Sequence, residues 1–160
     1  MRIFLASLGG ALFAAAGAMA QTLDPECTIG TADMGSPEAC SPVVGCLERS
    51  GTYFTGRAIG WDEGTFAARS SSGAICTGEW VTRNAMGLGE AIFTCDDGTS
   101  GIAFFTYQDS YTGTATGQGM TDDLQRIRIW SGHNIKQFLR NQTGEVDPQL
   151  MCGDEVIPIS

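Results

Sequence analysis

Histidine occurs once in this 160-residue chain, at position 133, and no two cysteines stand in a C-x-x-C pair. Structural zinc sites draw on paired cysteines or clustered histidines, and dithiol redox enzymes on C-x-x-C, so no metal, cofactor or thiol-exchange chemistry is expected. There is no G-x-S-x-G elbow, and His133 alone, without a placed serine and acid, makes no hydrolase triad. Asp96-Asp97-Gly98 lacks the D-x-D-x-D-G spacing of a calcium loop, and Asp97-Gly98-Thr99 has the wrong order for an aspartic-protease triplet. The glycines of 113–119 lack the GK[ST] ending of a phosphate loop. Basic residues are scarce: 9 Lys and Arg face 18 Asp and Glu, for a net charge of −9. Nucleic acid and anionic lipid surfaces repel such a chain, and the charge serves solubility.

Beyond residue 20 no run is long and apolar enough to span a bilayer. Residues 1–20 read as an export signal, with Arg2 as the positive n-region, an apolar stretch from Ile3 to Ala18, and Ala18-Met19-Ala20 as the cleavage site. The expected location is periplasmic or secreted. Six cysteines follow, at 27, 40, 46, 76, 95 and 152. An even set in an oxidising compartment reads as disulfides, although spacing alone does not choose among the many pairings.

Residues 21–50 carry Pro25, Pro37 and Pro42 with three cysteines and read as an irregular, covalently tied segment. Residues 51–140 change character. Glycine recurs between short runs of aromatic, β-branched and threonine residues, the pattern of many short strands joined by tight turns. Strands are expected over 53–59, 65–69, 74–82, 89–94, 100–107, 113–119 and 124–130, with 134–140 either an eighth strand or a short helix. Residues 141–160 read as an extended tail that Cys152 could staple to the body. The expected fold is all-β: one disulfide-braced antiparallel meander that closes into a small barrel or sandwich.

Two turns set register. Asp97-Gly98 signals a two-residue hairpin, which pairs Cys95 with Ser100, Phe93 with Ile102 and Ala91 with Phe104. A turn over 84–87 places Cys76 opposite Cys95 and Trp80 opposite Ala91, close enough for a disulfide between Cys76 and Cys95. One face then carries Cys76, Gly78, Trp80, Ala91, Phe93, Cys95, Ile102 and Phe104. The other carries Thr77, Glu79, Val81, Glu90, Ile92, Ala103, Phe105 and Tyr107.

The order Gly73-Ala-Ile-Cys76-Thr-Gly78, Gly87-x-Gly89, Cys95-Asp-Asp97-Gly98, Gly113 and Gly117-Gln-Gly119 resembles a group of small exported proteins of Gram-negative bacteria, rich in Gly/Cys β-hairpins. The resemblance covers about residues 52–131. It implies a β-rich fold in the cell envelope and carries no catalytic residues. Phe93-Thr-Cys95-Asp-Asp-Gly98 is also similar, more faintly, to the aromatic-x-Cys-x-x-Gly hairpin of periplasmic C-type lysozyme inhibitors. For the inhibitory loop of that class, Ser131-Gly132 is the nearest counterpart.

Three functional readings follow. Arg126, Arg128 and Trp130 alternate with Ile127 and Ile129, so a strand puts two guanidiniums and an indole on one face, near Lys136 and Arg140. That face could hold an anionic glycan or an acidic loop of an envelope protein, which makes the chain a non-enzymatic binding or structural module. The second reading is a proteinaceous inhibitor of an envelope-attacking hydrolase. The third is a small carbohydrate-active enzyme using Glu79 and Glu90, diagonal neighbours about 7–8 Å apart on one face.

Overall fold

The computed structural model describes residues 35–36, 38–109 and 114–159. The export signal and Cys27 lie outside the described residues. The body is an eight-stranded closed antiparallel barrel in which each strand pairs with the next in sequence. Its strands are β1 (Cys40–Leu47), β2 (Thr52–Gly60), β3 (Glu63–Ser70), β4 (Ile75–Val81), β5 (Gly89–Cys95), β6 (Ser100–Asp109), β7 (Thr114–Thr121) and β8 (Arg126–Ser131). A helix, α1 (Ile135–Thr143), and a hairpin of β9 (Leu150–Cys152) and β10 (Glu155–Ile157) follow.

The first correction concerns 21–50. Residues 40–47 are a strand, and it is β1 that closes the barrel, with β2 on one side and β8 on the other. Pro42 argued against a strand, because proline cannot donate to a ladder. It sits one residue outside the β1–β8 ladder, which begins at Val43 opposite Ser131. Its carbonyl still accepts from the N–H of Gly132 at 2.9 Å.

The second correction is a register slip. Cys76 does lie opposite Cys95 and Trp80 opposite Ala91, and Cys76 and Cys95 are disulfide-linked. Across the next hairpin, however, Phe93 faces Gly101, Ile92 faces Ile102 and Ala91 faces Ala103. The turn has three residues, not two. The N–H of Gly98 donates to Cys95 O, the N–H of Cys95 donates to Thr99 O, and Gly98 takes a φ of 88°. This is the arrangement of a type I turn closed by a left-handed residue in a bulge. The extra residue turns Ile102 and Phe104 outward and brings Gly101, Ala103 and Phe105 into the barrel.

The segment 134–140 belongs to a helix because Ile135, Phe138 and Leu139 recur at helical spacing and present one apolar stripe. Gly144 ends it in the left-handed conformation (φ 76°), its N–H returning to Arg140 O. The tail is not simply extended, since it forms the β9–β10 hairpin. Cys152 ties that hairpin to Cys46 of β1. No cysteine among the described residues is free.

Two apolar clusters result. One plugs the barrel at the end holding the four short turns 48–51, 71–74, 96–99 and 122–125, and is built from Leu47, Phe54, Ala68, Cys76, Phe93, Cys95, Ala103 and Ile127. The other lies outside the wall, where Val44, Cys46 and Trp130 are roofed by Ile135, Leu150, Cys152 and Ile157. Each large apolar side chain so buried contributes about 1.5–3 kcal/mol.

Close packing of β3, β4 and β5 leaves no room at Gly78. A Cβ there would lie 2.1 Å from Ile92 O and 2.6 Å from the Phe66 ring. Gly78→Ala is therefore expected to cost about 1–3 kcal/mol, read as a lower urea midpoint at unchanged slope.

Candidate functional site

Strand register decides which side chains meet inside. Every second residue points inward, giving Phe54 and Ala58 on β2, Phe66 and Ala68 on β3, and Cys76, Gly78 and Trp80 on β4. On the later strands small inward residues continue the row that starts at Trp80, with Ala91 on β5, Ala103 on β6 and Gly119 on β7, while Phe93 on β5 and Phe105 on β6 are large and Ala115 on β7 lies towards the other end of the barrel. Eight strands leave a lumen that side chains just fill, or that holds one small ligand when they do not. Here the inward rings stand among glycines and alanines on the neighbouring strands, Phe66 between Ala58 and Gly78, Trp80 between Gly64 and Ala91 and Phe105 between Gly89 and Gly117, and a cavity of about 430 Å³ remains. That volume lies within the usual range for small-molecule sites.

The lining is mostly apolar and includes Phe54, Phe66, Trp80, Phe93 and Phe105. Polar groups gather at the end away from the plug, where Trp61, Asp62, Thr82, Arg83, Gln108 and Asp109 contribute to the wall. Asp62, Arg83 and Gln108 are exposed, so this end is the rim. A bulge in β6, between Phe105 and Tyr107, sets the rim's composition. It reverses the in–out alternation, as bulges do. Gln108 thereby faces inward beside Ala115, and its Nε2 donates to Thr82 O at 3.2 Å. Tyr107 turns outward, its ring centroid 4.9 Å from that of Phe138 on α1.

Within the cavity wall one polar atom is unsatisfied. The indole Nε1 of Trp80 is buried and has no hydrogen-bond partner among the described residues. Buried N–H groups are paired in the great majority of cases. Asp123, held below the usual carboxylate range by hydrogen bonds from Thr121 and then Gln125, belongs to the turn at the plugged end.

The outer wall carries Arg69, Thr77, Glu79, Glu90, Gln118 and Arg128, while the lumen is apolar. That is the reverse of a lipid-embedded barrel, whose outward band is apolar and whose interior is polar. Among the described residues no helix is long and apolar enough to cross a membrane, and no cluster of His, Cys, Asp or Glu could hold a metal ion.

The residues expected to form a contact strand are placed differently. Arg126, Arg128 and Trp130 do share the outer face of β8. Trp130, however, is only 7% exposed, because α1 and the C-terminal hairpin fold over it. Glu48, in the β1–β2 turn, takes both guanidiniums: Arg128 Nε at 2.8 Å and Arg126 Nη1 at 3.6 Å. Arg128 also lies 5.2 Å over the Trp130 ring. The expected free indole is therefore covered, while Arg126 and Arg128 stay exposed and share the single carboxylate of Glu48.

Glu79 and Glu90 sit on the outer wall, opposite Ile92 and Val81 respectively, and Glu90 Oε2 accepts from Asn84 Nδ2 at 2.7 Å. Neither lines the cavity, so the pair has no cleft in which to work. His133 Nε2 lies 3.0 Å from Cys40 O and pins the start of α1 to the start of β1. Ser131 ends β8 against Val43 and Ala115 and does not head a protruding loop. Asp96 and Asp97 are turn residues, whose carboxylates accept from the N–H groups of Ile75 and Thr99.

The cavity was missed in the sequence because the β6 slip hid it. The signal that could have found it is the row of small inward residues Ala91, Ala103 and Gly119 that runs from Trp80 across β5, β6 and β7.

No family model and no curated protein matches the chain. A solved structure described as a de novo designed fluorescence-activating beta barrel is similar at a TM-score of 0.47 and 11% identity, covering 62% of this chain and 95% of that one. A likeness this distant carries no argument about what this chain does.

Proposed function

We propose that the protein is an exported, non-enzymatic binding module that holds one small, largely apolar molecule inside its barrel. The observation that carries this reading is the cavity of about 430 Å³, plugged at one end and rimmed by polar residues at the other. Packed interiors rarely leave voids larger than a water molecule, so a void of this size at the centre of a small barrel needs an occupant or a use. Apolar lining with a few polar groups at the entrance is the usual make-up of small-molecule sites. Export is supported by the n-region, apolar stretch and Ala-x-Ala site of residues 1–20, together with the disulfides. The envelope is the proposed place of action.

A neutral solvatochromic dye tests the reading. Titration of the oxidised protein with Nile red should give saturable, one-to-one binding with blue-shifted emission. Because the contacts are apolar, raising the salt concentration should leave the affinity unchanged. Absence of saturable binding for Nile red and for a series of smaller neutral aromatics would overturn it.

A further inference from the structure

We infer that the outer face of β5, β6 and β7 is a surface on which two copies of this chain pair, about a two-fold axis that runs along β6. The inference concerns the outside of the wall and does not rest on the lumen holding a ligand.

The register lays out one row across five strands. Glu79 of β4 stands opposite Ile92 of β5, Ile92 opposite Ile102 of β6, Ile102 opposite Met120 of β7, and Met120 opposite Arg126 of β8. Their chain neighbours Trp80, Ala91, Ala103 and Ile127 line the lumen, so the row itself faces outward. Phe104 lies two residues along β6 on the same face. Ile92 and Met120 are half exposed, and the roof formed by α1 and the C-terminal hairpin lies elsewhere, over Val44, Cys46 and Trp130. Apolar side chains grouped in one exposed patch with a polar rim mark an interaction surface, whereas scattered ones do not.

Charge selects the occupant. Among the described residues the only ion pairs join Glu48 to Arg126 and Arg128. Glu79, at one end of the row, therefore carries an unpaired negative charge. At the other end two guanidiniums share one carboxylate, which leaves a positive charge over. A face that is acidic on one flank, apolar in the middle and basic on the other complements itself, as an isologous interface requires. With the axis along β6, Glu79 of one protomer meets Arg126 of its partner at both flanks. Ile92 then meets Met120, while Ile102 and Phe104 each meet their own copy. An axis along the row would set Glu79 on Glu79 and Arg126 on Arg126, and like charges oppose that arrangement.

The curvature of the wall permits the contact. Barrel strands tilt by about 35–45°, so a row at right angles to them climbs as it turns and covers only about a quarter to a third of the circumference. The two walls part toward the flanks, where the long side chains of Glu79 and Arg126 cross the gap. The apolar centre is small, so the dimer is weak and reversible.

Sedimentation velocity of the oxidised protein, from about 10 µM to about 1 mM, should show the mean coefficient climbing toward that of a dimer. Glu79→Arg and Arg126→Glu should each weaken the dimer about ten-fold, because symmetry converts two attractions into repulsions. Glu79→Arg also lowers the net negative charge of the chain, so general repulsion between acidic chains would predict the opposite change. The charge-swapped double variant Glu79→Arg/Arg126→Glu should recover most of the loss. Both positions are exposed, so neither change threatens the fold. Amide shifts that move on dilution should centre on Ile92, Ile102, Phe104 and Met120. A monomer at every concentration overturns the inference. So does a dimer that both single variants leave intact, that the swap fails to recover, or whose dilution shifts lie on another face. None of these outcomes bears on binding in the lumen.

Discussion

Ala58→Trp should abolish binding of apolar probes while leaving the barrel folded. Ala58 faces inward on β2, between Ser41 of β1 and Phe66 of β3, and lines the cavity. An indole at this position projects into the void and not into packed side chains, so the usual cost of overfilling a core is largely avoided. Its burial adds apolar contact of the kind worth about 1.5–3 kcal/mol for a large side chain. The expected result is at least a hundred-fold weaker dye binding, with a thermal midpoint equal to or above that of the parent. Unaltered affinity would place the probe somewhere other than the lumen.

Removing the Cys46–Cys152 bridge should be the most damaging change to stability. The linked residues are 106 apart in sequence, against 19 for Cys76–Cys95. In the chain-entropy account, closing a loop of the first size stabilises by about 4–5 kcal/mol and one of the second by about 3 kcal/mol. Cys46 and Cys152 are also fully buried in the cluster under α1, so replacing them forfeits packing as well. The double variant Cys46→Ala/Cys152→Ala should lose on the order of 10 °C in melting temperature, and more than Cys76→Ala/Cys95→Ala loses. Ligand binding should persist at low temperature, since the C-terminal hairpin packs outside the wall and does not line the cavity. Equal losses for the two double variants, measured by calorimetry, would contradict this.

The parts of the fold legible in the sequence were those set by local chemistry. Short glycine-punctuated runs announced a meander, and the Cys76/Cys95 register followed from one turn whose Asn84 side chain accepts from the N–H groups of Met86 and Leu88. What was not legible depends on partners distant in the chain. Pro42 looked like a strand breaker until β8 proved to stop one residue short of it. Asp97-Gly98 supports either a two- or a three-residue turn, and the choice reverses every side chain of β6. That reversal decides whether Ala103 or Phe104 faces the lumen, and so whether a cavity is visible at all. Trp130 looked available because the helix that roofs it begins five residues later and could equally have been a strand. Glu48, which pairs with both arginines of β8, lies 78 residues before Arg126 in a segment with no periodic pattern.

The lumen and the outer wall compete as places for an apolar molecule, because Ile92 and Met120 are 53% and 47% exposed and flank Ile102 in a row across β5, β6 and β7. Nuclear Overhauser contacts between a bound neutral aromatic and the protein methyl groups separate the two directly. The barrel-site account predicts contacts to the methyls of Ala58, Ala91 and Ala115, and none to Ile92 or Met120. Contacts confined to Ile92, Ile102 and Met120 would contradict it.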